Sequence, residues 1–289
     1  MKNFWRTLAI EKYEKDSDTG SNIANKYDIE QLRTLWTNLY SDPAEPEYSD
    51  LEYVLSGDGQ SYIVSGIGTC TDTDIVIPNT YNDLPVTEIG DYAFLDCDSL
   101  TSVTIPHSVT RIGSYALHSC DSLTSVTIGD SVTSIGDYAF AYCTSLTSVT
   151  IGDSVTSIGD WAFYGCEGLT SVTIPDSVTS IGTASFADCT NITEVTIGNS
   201  LTNINNSAFN SCTSLKEVII GNSVTSIGAF AFKCCSELAV VEIGTAIEHI
   251  GSSAFEGCYQ LTAIFIHNTR YIAGEPWGAI NAQVYRNSQ

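Results

Sequence analysis

From Val86 to Thr269, apolar residues recur at intervals that repeat every 23 positions. One unit reads Val132-Thr-Ser-Ile-Gly-Asp-Tyr-Ala-Phe-Ala-Tyr-Cys-Thr-Ser-Leu-Thr-Ser-Val-Thr-Ile-Gly-Asp-Ser154. Eight such units follow one another without an insertion. A fixed period of this length predicts a solenoid, in which each coil packs only on its neighbours.

Within a unit, Leu146, Val149 and Ile151 end in the alternation of a strand with one buried face. Gly-Asp-Ser follows as a turn, with Asp or Asn expected to close on its own backbone. Val155 and Ile158 mark a second short extended segment. Gly159 stands in a column that holds Gly in seven units and Asn205 in the other. Gly and Asn tolerate positive φ, so this column is expected to be left-handed. Asp160 is expected to cap a short helical turn carrying Ala162 and Phe163. Seven side chains per coil then point inward: Val, Ile, Phe, Cys, Leu, Val and Ile. One coil alone cannot bury them, so stacking must supply the missing burial. At about 4.8 Å per coil, eight coils span roughly 38 Å.

The pattern divides the chain into four parts. Residues 1–50 carry a capping-box-like start at Asp28 and Gln31, then an apolar stripe of Ile29, Leu32, Leu35, Trp36 and Leu39. This segment reads as a helix folded on the first coil, as an oligomerisation or docking helix (self-association through residues 28–40), or as disorder. Residues 42–47 form a linker. Residues 51–85 are expected to be a β cap: a hairpin around Gly57-Asp58-Gly59, then a degenerate half-repeat with Ile75 and Ile77 in the strand. Residues 86–269 are the eight repeats. Residues 270–289 break the period and close the array, with a short strand at 282–285.

Charge narrows the partners. The chain has 11 Lys plus Arg against 34 Asp plus Glu, a net charge of −23. Nucleic acid and anionic membranes are thereby disfavoured, because both recruit Lys and Arg. The acidic excess keeps an apolar-cored rod in solution or favours cationic partners. No stretch has the length and apolarity of a membrane helix. Arg6 and Glu11 interrupt any signal-peptide core at the start. Eight of ten cysteines occupy one column, from Cys97 to Cys258, and read as buried thiols rather than disulfides. Cys234 lies off the column as an exposed thiol.

Catalytic signals are weak. Gly129-Asp130-Ser131-Val132 resembles an esterase nucleophile block, but it is the turn of every coil and has no positioned histidine. His107, His118, His249 and His267 fall in different columns, build no triad and read as surface substitutions. Asp130, Asp153 and Asp176 form a column that suits either calcium or a turn, and Asn199 and Asn222 continue it. No residue set specifies a cofactor, a metal or an enzyme. Binding candidates lie on the outward strand positions: Ser125, Thr127, Ser148, Thr150, Ser171 and Thr173, then Glu194, Thr196 and Glu217. Threonine also suits strands for its own sake. A second patch, Tyr92, Tyr115, Tyr138 and Trp161, either shields the core edge or stacks on a partner or glycan.

These columns resemble the BspA-like leucine-rich repeat family over residues 86–269. Gly66-Ile-Gly-Thr-Cys-Thr-Asp-Thr-Asp-Ile-Val-Ile-Pro78 is similar to that family's first segment. The resemblance implies a β-rich α/β solenoid, a curved right-handed array with one parallel strand per coil. It also implies a cell-surface or secreted protein that adheres to a host matrix protein, another cell or a glycan through its concave strand face. A structural spacer, docked through the N-terminal helix, is the alternative.

Overall fold

The computed structural model describes residues 50–268 and 272–286, all within one unit spanning Tyr48–Gln289. The segment read as a helix over residues 28–40, and the linker after it, lie outside the described residues. Among the described residues there is no helix, so the α component expected of the coils is absent.

Each coil contributes a strand to one face. These run from Asp74–Val76 through Ser102–Thr104, Ser125–Thr127 and Ser148–Thr150 to Ala263–Ile266 and Gln283–Arg286. All pairings between them are parallel and join positions one coil apart, such as Val149 with Val126. A second ladder of two-residue strands, among them Ser134–Ile135 and Ser157–Ile158, runs beside it. It starts from Tyr62–Gly66 and Leu84–Ile89. Glu52–Leu55 pairs antiparallel with Tyr62–Gly66, the hairpin read from Gly57-Asp58-Gly59.

The apolar columns fill the centre. Val155, Ile158, Phe163, Cys166, Leu169, Val172 and Ile174 are all buried, as their counterparts are in nearly every coil. An eighth column, Ala139, Ala162, Ala208, Ala231 and Ala254, is fully buried as well. The Phe rings stack from Phe140 to Phe255 with centroids 5.1–5.6 Å apart and planes within 10°. The ring separation is thus set by the coil step.

The glycine column is not left-handed, against the expectation. Positive φ falls two and six residues later, at Trp161 and Gly165 in this coil and at Tyr138 and Tyr142 in the one before. Glycine is needed instead for close approach. A Cβ on Gly159 would lie 2.5 Å from Asp137 Oδ1 and 2.6 Å from Asp137 N. The Gly159 amide donates to the Ile135 carbonyl at 2.9 Å, and the other glycines of the column do likewise. The column's exception, Asn205, stands where the second ladder is interrupted, between Ser180–Ile181 and Asn203–Ile204. The strand face is also interrupted on both sides of the pair Ser171–Ile174 and Glu194–Ile197.

In place of the expected helical turn, each coil carries two left-handed residues four apart. Left-handed backbone costs a non-glycine residue about 1–2 kcal/mol. Here every second amide of the segment bonds the next coil: Tyr138 N donates to Asp160 O at 2.9 Å, Phe140 N to Ala162 O at 2.7 Å and Tyr142 N to Tyr164 O at 2.7 Å. A third set of inter-coil bonds thus replaces the bonds a helix would make within itself. Asp160 is not a helix cap. Its Oδ1 accepts the Thr183 amide of the next coil at 2.6 Å.

The cysteine column also bridges coils. The Cys166 thiol donates to the Phe140 carbonyl at 3.0 Å, and every column member from Cys120 to Cys258 repeats this. All ten cysteines are free thiols. Burial pushes the Cys166 and Cys189 thiols well up, and Cys97 at the array's start to about 11.

Two outcomes are expected. Gly159→Ala should destabilise the chain by about 1–3 kcal/mol, as overpacking does, measured as a lower urea midpoint. With Ellman's reagent, Cys234 should react at once in the native chain. The seven buried column thiols should react only on unfolding, and rapid native labelling of Cys166 would contradict their burial.

Candidate functional site

The outward side chains of the strand ladder form two parallel rows. One row runs Ser102, Ser125, Ser148, Ser171, Glu194, Glu217, Val240 and Ala263. The other runs Thr104, Thr127, Thr150, Thr173, Thr196, Ile219, Glu242 and Phe265. All nine residues read from the sequence as a binding face, Ser125 through Glu217, are exposed. The ladder places them side by side, Ser125 beside Ser148 and Ser171 beside Glu194.

The structure separates threonines that look alike in the sequence. Thr133, Thr156 and Thr179 donate their hydroxyls to the carbonyl 23 residues earlier at 3.0–3.2 Å. Thr124, Thr147 and Thr193 do the same at 3.0–3.2 Å. These exposed hydroxyls are spent on holding coils together. Among the described residues, the hydroxyls of Thr127, Thr150, Thr173, Thr196, Ser125, Ser148 and Ser171 make no hydrogen bond. They are free to meet a ligand.

The second patch is brought together as well. Tyr92, Tyr115, Tyr138 and Trp161 stack in sequence, with centroids 5.1, 4.7 and 5.2 Å apart and planes within 12°. All four are left-handed, a conformation that nothing in their residue type signals. The rings of Tyr115 and Tyr138 therefore use both faces on each other and on their neighbours, and only their edges meet solvent. Stacking of a sugar or aromatic group needs a ring face, which at these two rings is already taken. His118 packs against Tyr115, Tyr138 and the edge of Tyr142, so it is part of this patch rather than a surface substitution. Burial holds its pKa below the usual histidine value, and Asp96 opposes that shift. His107, His249 and His267 are exposed.

Part of the acidic turn column bonds across coils. Asp176 Oδ1 accepts the amide of Asn199 at 2.7 Å, and Asn222 Oδ1 that of Thr245 at 3.0 Å. These two side chains close on the next coil, not on their own backbone as expected. Among the described residues, no three His, Cys, Asp or Glu side chains gather closely enough to hold a metal ion. A depression lined by Asp153, Thr173, Pro175, Asp176, Thr196 and Asn199 is open to solvent. Among the described residues no helix is long and apolar enough to cross a membrane.

The model of the BspA type leucine rich repeat region matches residues 68–193 and 179–275 in six copies. The chain belongs to this family. Solved structures agree. A leucine rich repeat protein of T. pallidum is 28% identical, with a TM-score of 0.61, over 73% of this chain and 88% of its own. A leucine-rich repeat protein of Bacteroides ovatus is also 28% identical, with a TM-score of 0.63, over 82% of this chain and 70% of its own. Curated proteins yield no match.

Within this BspA type array, the two kinds of threonine should differ in stability. Thr156→Val removes a hydroxyl-to-carbonyl bond and should cost about 0.5–1.5 kcal/mol. Thr150→Val should fall within about 0.5 kcal/mol of the parent. Equal losses in urea titrations would mean that the strand-face hydroxyls are structural too.

Proposed function

We propose that this chain is a non-enzymatic interaction module of the adhesion type, which binds a protein or glycan partner through its outward strand face. The observation that carries this reading is the row of unspent hydroxyls at Ser125, Thr127, Ser148, Thr150, Ser171 and Thr173, continued by Glu194, Thr196 and Glu217. Polar groups that bond nothing in the free protein can bond a ligand without first breaking an internal contact. An extended face of this kind suits an extended ligand, as solenoid surfaces do. Membership of the BspA type repeat family supports an interaction role over catalysis. The same membership supports a cell-surface or secreted location, where host matrix and cell-surface proteins are the accessible partners.

The aromatic row of Tyr92, Tyr115, Tyr138 and Trp161 fits a partner site less well, because its inner ring faces are already stacked. Its role in this reading is to shield the core edge.

Immobilised matrix proteins and glycans, probed with the purified chain at low and physiological salt, test the proposal. Saturable binding is expected, with at least a tenfold loss in Thr150→Arg plus Thr173→Arg while circular dichroism stays unchanged. Binding that survives the double substitution would move the site off this face.

A further inference from the structure

The strand face changes character along its length. Its first half presents only Ser and Thr. From Glu194 onward carboxylates and apolar side chains enter it, with Glu217 beside Ile219 and Val240 beside Glu242, and its last strands are apolar or neutral, with Ala263 beside Phe265 and Gln283 beside Tyr285. Ile219 is 62% exposed, Tyr285 42% and Phe265 37%. Phe265 and Tyr285 stack at 5.0 Å into one apolar ledge. Isolated exposed apolar groups are ordinary, but a contiguous set rimmed by charge marks an interaction surface.

The carboxylates have little to satisfy them. Among the described residues, Glu194 and Glu217 make no ion pair. Glu242 has only His267 Nε2, at 3.8 Å. Of the basic residues of the array, Lys233 is engaged with Glu256 and Arg111 with Glu88 and Asp91, while Lys216, next to Glu217 in the chain, is exposed and makes no ion pair among the described residues. With a net charge of −23, this face attracts cations and repels an anionic surface.

Spacing selects the form of the partner. The apolar anchors zigzag between the two rows at one coil step each, Ile219, then Val240, then Phe265 and Tyr285, with Glu242 beside Val240. The step is seen as 5.0 Å between the rings of Phe265 and Tyr285 and 5.1–5.6 Å along the buried Phe stack. A helix laid across the strands offers side chains at i+3 and i+4, about 4.5 and 6 Å along its axis, and at i+7 about 10.5 Å. The last value matches the two coil steps from Ile219 to Phe265. An extended chain repeats on one face at about 6.6–6.8 Å and loses register after a coil or two.

We propose that the acidic and apolar end of the strand face, from Glu194 to Tyr285, docks a basic amphipathic helix of a partner protein. Its apolar stripe runs between the two rows over Ile219, Val240, Phe265 and Tyr285, and its Lys or Arg flanks meet Glu194 and Glu217 on one side and Glu242 on the other. This is the helix-on-surface mode of recognition, and it rests on the reading that the strand face is the ligand surface.

The test uses the full chain and two fluorescent peptides of 14 residues, built from Leu and Lys alone. One places Leu at i, i+3, i+4 and i+7, and the other scrambles the same composition. Anisotropy should show the helical peptide binding at least tenfold more tightly than the scramble, with affinity falling as salt rises. Ile219→Ser plus Phe265→Ser should weaken it tenfold or more. Glu217→Gln plus Glu242→Gln should flatten the salt dependence. Thr150→Arg plus Thr173→Arg should leave it within about twofold. Circular dichroism verifies each variant's fold. Equal binding of both peptides would reduce the effect to general attraction by an acidic rod and overturn the proposal. Absence of binding, or loss confined to the Thr150 and Thr173 variant, would overturn it too. Matrix binding that still depends on Thr150 and Thr173 would leave the broader reading standing.

Discussion

Nearly every choice of residue in this array is set by one distance, the step of about 5 Å from each coil to the next. Each position meets a copy of itself 23 residues away. The Gly159 column must be small because the next backbone passes where a Cβ would sit. The Phe rings stack because their separation is the coil step. The thiols of the Cys166 column and the hydroxyls of the Thr156 column each reach the carbonyl of the coil before. Hydrogen bonding between coils is thus carried by two strand ladders, a set of turn amides and three kinds of side chain, Cys, Thr and Asp or Asn. Asn205 shows the constraint from the other side: one residue that breaks the column rule coincides with a break in the ladder.

The same step organises the surface. The hydroxyls and thiols that bridge coils have committed their one donor hydrogen and cannot donate to a partner. Those that project from the strand face can, and they are arranged as two straight rows. Their chemistry is not uniform along the axis. Neutral hydroxyls dominate one end, and carboxylates with exposed Ile219 and Phe265 the other. A solenoid can vary such outward residues freely, since each touches only its own row. The buried columns cannot vary in this way, because every change is felt by the coils above and below.

Energetically, no coil stands by itself. Each leaves its apolar faces uncovered until a neighbour stacks on it, so the chain folds as an array. The left-handed turn residues illustrate what that stacking offsets. Two left-handed positions in each coil, most of them not glycine, accompany a segment that delivers three amides to the next coil. In an isolated 23-residue peptide those amides would have no partner, and the strain would have no compensation.

Much of this was legible in the sequence. The 23-residue period, the strand at Leu146–Ile151, the second segment at Val155–Ile158, the inward columns and the hairpin around Asp58 all follow from local pattern and burial. So did the outward position of the Ser and Thr rows. What local pattern could not decide is everything that depends on the neighbouring coil. Left-handed backbone lies at Tyr138 and Trp161 rather than at Gly159, because inter-coil amides, not residue propensity, select it. Thr156 is spent and Thr150 is free, although both are exposed threonines on extended segments. The tyrosine rings hide their faces in one another. These distinctions arise only when coils stack, since the groups that settle them are 22 to 26 residues apart in the chain and one hydrogen bond apart in the fold.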